Sequence, residues 1–289
     1  MKAAWLPART LLHVSGKDAA HFLHNLLTNS VEGLTEGEAA YAALLTPQGK
    51  IIGDIFVLAR ADGFLLDVPV DRAAELTKRL TLYKLRAAVT IAPVENGRVL
   101  AVWDTDAPPP GACADPRLAE LGFRLPVETP DAPVAAEAIA SDAEWHAHRI
   151  LLGVPEGGVD FLYDDAFPHE ADLDQLNGID FAKGCYIGQE IVSRMEHRGT
   201  ARTRTVPVTV EGAAPPPGTE VRAGDKPAGA LGSSANGRAL ARLRLDRVED
   251  ALAANDGLSA GESTLALAPK PAWVRFRYPG EGSAAEAAS

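Results

Sequence analysis

Cysteine is nearly absent from this chain: Cys113 and Cys185 are the only two in 289 residues. With no CxxC pair, an all-cysteine zinc or iron–sulphur site within one chain is excluded. A disulfide between the two stays open on sequence grounds, although a reducing compartment disfavours it. Long apolar runs are missing as well. None approaches the roughly 20 residues that a membrane-spanning helix needs, so no membrane partner is expected. An excess of positive charge is also lacking. The 28 Lys and Arg against 39 Asp and Glu leave a net −11, which argues against a surface built to hold nucleic acid directly. The opening MKAAWLPARTLLHVSG has no basic segment leading into a long apolar core and no Arg/Ser-rich leader, so a cytoplasmic location is expected. No internal repeat is visible.

What is present is ample core material. A hydrophobic fraction of 46% over this length suits two or three domains. RTLLHVSGKDAAHFLHNLLTN reads as a strand followed by a helix, with Ser15 and Asp18 as a capping box and Ala19, Phe22, Leu23, Leu26 and Leu27 at helical spacing. His21 and His24 lie on that helix without a third ligand nearby and read as surface residues. AAYAALLT, the turn PQGK and IIGDIFVLAR read as a hairpin, followed by the strand FLLDVPV and a helix over 71–86. AVTIAPV and RVLAVW, joined by Asn96-Gly97, read as a second hairpin. The Pro/Ala-rich span 104–142 reads as loops around one strand, GFRLPV. A capping box at Ser141 and Glu144 opens the next helix, with Gly153 at its end. Ile187 to Arg198 is expected to be helical, stopped by Gly199. Beyond it RTVPVTV, EVRA, AGALGSS, RALARLRL and AWVRFRY read as short strands of a small barrel. The fold class expected is α+β with mainly antiparallel sheets.

Three features invite chemistry. KGCYIGQE places Cys185 between glycines, two residues after Lys183 and just before a helix start. Both the cation and the helix dipole lower a thiol pKa, so Cys185 is the candidate working thiol and Lys183 the residue that favours its thiolate. Gln189 and Glu190 at the helix start can bind backbone N–H groups or a ligand. The alternative is a buried cysteine accommodated by a turn. In IIGDIFVL, alternation puts Asp54 on one face with Ile52, Phe56 and Leu58, where a carboxylate needs a partner. It faces a ligand, or else is partly solvated near the hairpin end. Arg194, His197, Arg198, Arg202 and Arg204 reverse the local sign of charge. They suit an anionic ligand tail, a phosphate or an acidic partner, although helix-end cations also explain Arg194 and Arg198. His169 or His197 would be the base of a cysteine hydrolase, but neither is paired with Cys185 by spacing. No resident metal site is expected.

KGCYIGQE resembles the signature of the YgfZ family of folate-binding proteins, relatives of the glycine cleavage T-protein, an aminomethyltransferase. HFLHNLLTNSVEGLTEGEAAYAALLTPQGKIIGDIFVL, the span from HRILLGVPEGG to the motif, and AGALGSS with ALARLRLD extend the likeness over nearly the whole chain. The resemblance implies a T-protein-like region over 1–203, made of two interleaved α/β domains (roughly 1–45 with 140–203, and 46–139). A barrel over 204–280 and a disordered tail over 281–289 complete the expected organisation. It also implies a cavity for tetrahydrofolate, polyglutamylated or not, with Asp54 at the pterin; Gln189, Glu190, Arg194, Arg198 and Arg202, read above from charge and helix position, are the further binding candidates for it. The implied function is support of iron–sulphur cluster assembly or repair, including the clusters of tRNA-thiolating enzymes, with client or assembly proteins as partners. The alternative is tetrahydrofolate-dependent aminomethyl transfer. Leu151 stands where the T-protein carries its pterin-binding glutamate, which counts against that alternative and leaves the pterin contact unassigned.

Overall fold

The computed structural model describes residues 1–129, 133–199 and 201–281. The chain runs β1 (Lys2–Trp5), β2 (Arg9–Ser15), α1 (Ala19–Leu26), β3 (Ala39–Leu45), β4 (Ile51–Arg60), β5 (Gly63–Pro69), α2 (Ala73–Tyr83), β6 (Thr90–Pro93), β7 (Arg98–Trp103), β8 (Cys113–Ala114) and β9 (Phe123–Val127). Then follow α3 (Asp142–Leu151), α4 (Gln189–Arg198), β10 (Thr203–Glu211), β11 (Glu220–Ala223), β12 (Lys226–Ala235), β13 (Arg238–Arg244), α5 (Leu245–Ala253), β14 (Leu258–Ala260) and β15 (Ser263–Leu267). The strands form three antiparallel units. One sheet has the order β3-β4-β5-β2-β6, a second β1-β7-β9-β8, and β10-β13-β12-β11-β14-β15 close into a barrel. An α+β fold with a C-terminal barrel is therefore observed.

The first sheet is covered on both faces, which is why nine of the ten residues of β4 are buried. Ile55 and Val57 face α1 and α2 in one cluster, with Leu23, Leu76 and Leu80. Phe56 and Leu58 face the other way, toward Phe161 and Tyr163. Ile52 belongs to the helix side, so it does not share a face with Asp54. A bulge opposite Leu44 and Leu45 shifts the register at Gly53, and one extra residue reverses the alternation.

Several expectations are corrected. Asp18 does not cap α1 with its side chain; its carboxylate accepts from the Ala88 N–H instead. The Asn96-Gly97 turn does not close a hairpin. β6 pairs with β2 in the first sheet and β7 with β1 and β9 in the second, so the turn carries the chain from one sheet to the other. β3 and β4 are hydrogen-bonded over most of their length, joined by the 46–50 turn. In the barrel, AWVRFRY is not a strand. It lies across the barrel core, burying Val274 and Tyr278 with Trp273 and Phe276 packed alongside. β14 and β15 take the places expected for it. Of the tail expected to be disordered, Glu281 accepts from Lys270 Nζ at 3.0 Å and from the Tyr278 N–H at 2.9 Å; residues 282–289 lie outside the described residues. The Ser141–Glu144 capping box forms as expected.

The barrel is joined to the rest through buried polar contacts. Asp160 accepts from the N–H and hydroxyl of Ser233 on β12, both at 2.7 Å. Its other oxygen takes Arg149 Nη1 of α3 at 2.7 Å and the Glu156 N–H at 2.9 Å. A Cβ at Gly232 would lie 2.3 Å from that carboxylate, so the close approach requires glycine there. Asp160→Ala should destabilise the chain by about 3–5 kcal/mol, because it removes one of the two carboxylates paired with the buried Arg149 guanidinium and leaves three further donors without an acceptor. A urea titration with unchanged slope and a lower midpoint would show it.

Candidate functional site

Asp54 is 4% exposed and already has partners. Tyr163 donates its hydroxyl to one carboxylate oxygen at 2.6 Å, and Arg9 Nη1 lies 3.2 and 3.1 Å from the two oxygens. Arg9 also donates through Nε to Asp67 at 2.6 Å. Arg124 Nε reaches the second oxygen of Asp67 at 2.8 Å. Arg117 forms a two-pronged pair with Asp115 at 3.0 and 2.8 Å, with Arg124 Nη1 3.6 Å from the same carboxylate. Three guanidiniums and three carboxylates thus balance. Phe56 lies among them, its ring centre 3.7 Å from Arg124, 4.8 Å from Arg117 and 5.2 Å from Arg9. Burial and the neighbouring Asp54 charge push the Tyr163 hydroxyl well above its ordinary range, so it stays protonated and donates.

Asp54 is therefore neither partly solvated nor turned toward an open slot. Tetrahydrofolate does not fit these residues as they stand, because the face of Phe56 and the carboxylates of Asp54 and Asp67 are taken by the chain's own arginines. Leu151, at the position of the absent acid, is 57% exposed and lines a groove of about 560 Å³ with Trp273 and Arg238. Beyond α3, Glu156 is paired with His146 and Arg149 of that helix. Burial alone would raise the Glu156 carboxyl, but the Arg149 guanidinium 3.0 Å away overrides this and holds it at about 2.

The KGCYIGQE loop is held from both ends. Lys183 Nζ donates to the carbonyls of His24, Leu27 and Asn29, the latter two at 2.7 and 2.9 Å. These carbonyls close the C-terminus of α1, where unpaired C=O groups and the helix dipole favour a cation. The ammonium expected to favour the Cys185 thiolate is thus engaged by the end of α1, and burial lowers it to about 8. Asp180 accepts from the N–H groups of Ala182 and Lys183 and donates its own N–H to Thr28. Tyr186 is buried. Gly188 adopts φ +81°, and a Cβ there would meet the Thr46 carbonyl at 2.6 Å, so α4 starts on the β3–β4 turn. Between these anchors Cys185 is exposed, which removes the buried-cysteine alternative. Cys113 is 5% exposed, and burial pushes its thiol up to about 12.

The remaining candidates scatter. Gln189 is half-buried and Glu190 exposed in the first turn of α4, where an acid suits the dipole. Arg194, His197, Arg198 and Arg202 are exposed. Arg204 is not part of that surface: it is buried on β10 and pairs with Asp174 at 2.6 and 2.9 Å, because its strand position points it inward. His169 is buried and bonded to Glu196 at 3.1 Å. Ligand atoms of His169, Asp174 and Glu196 lie within 4.8 Å of one another, but Arg204 already holds both Asp174 oxygens.

Comparison with known proteins places this architecture. The GCVT N-terminal domain matches residues 10–103 and the C-terminal β-barrel domain of CAF17 residues 202–276. A solved aminomethyltransferase T of the glycine cleavage system from Bartonella henselae superposes with a TM-score of 0.73. It covers 96% of this chain and 87% of its own at 16% identity, so it shows the fold alone. The class is a GCVT-like chain with a CAF17-type barrel. The human iron–sulphur cluster assembly factor IBA57, mitochondrial, is 36% identical over 237 residues, covering 71% of this chain and 67% of its own. Mouse IBA57 is 32% identical over 268 residues, covering 83% and 73%. The chain belongs to the IBA57 family. It spans only 54% of the length of the Neurospora crassa homologue, to which it is 34% identical. These relatives are mitochondrial, which overturns the cytoplasmic placement expected from the sequence.

Iodoacetamide should label Cys185 alone in the folded protein and reach Cys113 only after denaturation; peptide mass mapping reads this, and native labelling of Cys113 would contradict the burial argument. Lys183→Met should lower the unfolding free energy from a urea titration by no more than about 1–2 kcal/mol while speeding amide exchange over 180–187 by about tenfold or more. Unchanged exchange there would mean that the loop is held by something other than the lysine.

Proposed function

We propose that the protein acts in iron–sulphur cluster assembly, presenting the Cys185 thiol to a cluster or to the protein that carries one. The observation that carries this reading is an exposed cysteine on a loop fixed at both ends, in a chain of the IBA57 family. A thiolate is the soft ligand that iron–sulphur clusters take, and a single cysteine can supply one ligand position while a partner supplies the others. The cluster is then cargo, and client or assembly proteins are the partners. The finer reading, a YgfZ-type factor serving the clusters of tRNA-thiolating enzymes, is supported by the KGCYIGQE motif. Aminomethyl transfer is disfavoured by Leu151, which cannot accept a pterin N–H and is turned to the surface, and by the prior engagement of Asp54.

A deletion strain should lose iron–sulphur enzyme activity and keep glycine cleavage. The parent chain should restore the first, whereas Cys185→Ser, folded and expressed at the same level, should not, since a hydroxyl lacks both thiolate nucleophilicity and soft-metal affinity. Restoration by the serine variant would sink the reading.

A further inference from the structure

We infer that the protein carries a built-in substitute for a pterin and works without bound folate. The argument begins with space. Arg9, Tyr41, Asp54, Phe56, Asp67, Asp115, Arg117, Arg124 and Tyr163 form one contiguous group, and none is more than 8% exposed. A ring seated against Phe56 needs the face over which Arg124 already sits at 3.7 Å. That guanidinium is itself flat, stacks on an aromatic face and offers N–H groups in its plane. Those are the properties by which a pterin's aminopyrimidinone half would bind. Its donors go to Asp67, and those of Arg9 to Asp54 and Asp67. The chain thus fills the carboxylates' hydrogen-bonding capacity with its own planar cations.

Charge makes the exchange unfavourable as well as crowded. Each arginine contributes a positive charge to a buried set of three cations and three carboxylates. The pterin of tetrahydrofolate is neutral near pH 7. Displacing Arg124 or Arg9 with it would leave an uncompensated carboxylate out of water, where unpaired charge is strongly penalised. Opening the site also breaks contacts that span both sheets, because Arg9, Asp54 and Asp67 belong to the first and Arg124 to the second.

Isothermal calorimetry and thermal unfolding of the intact chain with (6S)-5-formyltetrahydrofolate test the inference. The expected result is no saturable heat and no change in Tm up to about 1 mM ligand, since a ligand that binds only the folded state must raise Tm once it exceeds its Kd. Stoichiometric binding with a rise in Tm, both weakened about tenfold or more by Asp54→Asn, would overturn it. So would saturable binding that Asp54→Asn leaves unchanged, since the chain would then hold folate in spite of its filled cluster. These readouts concern ligand binding alone and leave the Cys185 complementation result to stand or fall separately.

Discussion

A carboxylate removed from water must find a cation, and Asp54, Asp67 and Asp115 are all removed from water here. The rest of the N-terminal architecture is arranged around that requirement. β2 brings Arg9, β9 brings Arg124, the segment after β8 brings Arg117, and the chain beyond α3 brings Tyr163. The bulge at Gly53 turns Asp54 toward these groups while keeping Ile52 on the helix side. Removing any one member exposes another to unpaired burial, so the two sheets hold a fixed relation. A hydrophobic interface of the same size would constrain distance more than orientation. Paired charges with directional donors constrain both.

The same device joins the barrel. Asp160 bridges α3 and β12, Arg204 on β10 reaches Asp174, and Trp273 donates its indole N–H to the Leu152 carbonyl at 2.9 Å. Each contact crosses from barrel to body. The barrel is thereby a bound part of the structure. The GCVT-like region and the CAF17-type barrel, matched separately in sequence, act as one block.

Much of this was legible in the sequence. Alternation and turn residues revealed β3, β4, β5 and four barrel strands, and Ser141 with Glu144 revealed the start of α3. The failures have physical causes. Asn96-Gly97 is a strong local hairpin signal, but which sheet a strand joins is decided by long-range pairing. AWVRFRY alternates like a strand yet finds its apolar partners on the barrel's core without a ladder. Asp54 was recognisable as a carboxylate in need of a partner. The partners were harder to see: Asp67 carried the same signal inside FLLDVPV, whereas Arg9, Arg117 and Arg124 look like ordinary surface cations until the fold encloses them. Lys183 stands out in the sequence for its nearness to Cys185, although its ammonium is directed by carbonyls more than 150 residues away.

The anchoring of the KGCYIGQE loop bears on how quickly and how firmly a partner can let go. Ordering a flexible residue costs about 1–2 kcal/mol of backbone entropy, and a loose loop would meet that cost at every encounter. In this chain Lys183, Asp180, Tyr186 and Gly188 meet it during folding. Contact at Cys185 therefore needs little rearrangement on this side. A small contact area can then suffice for a specific but short-lived complex, as the cluster transfer proposed above would require.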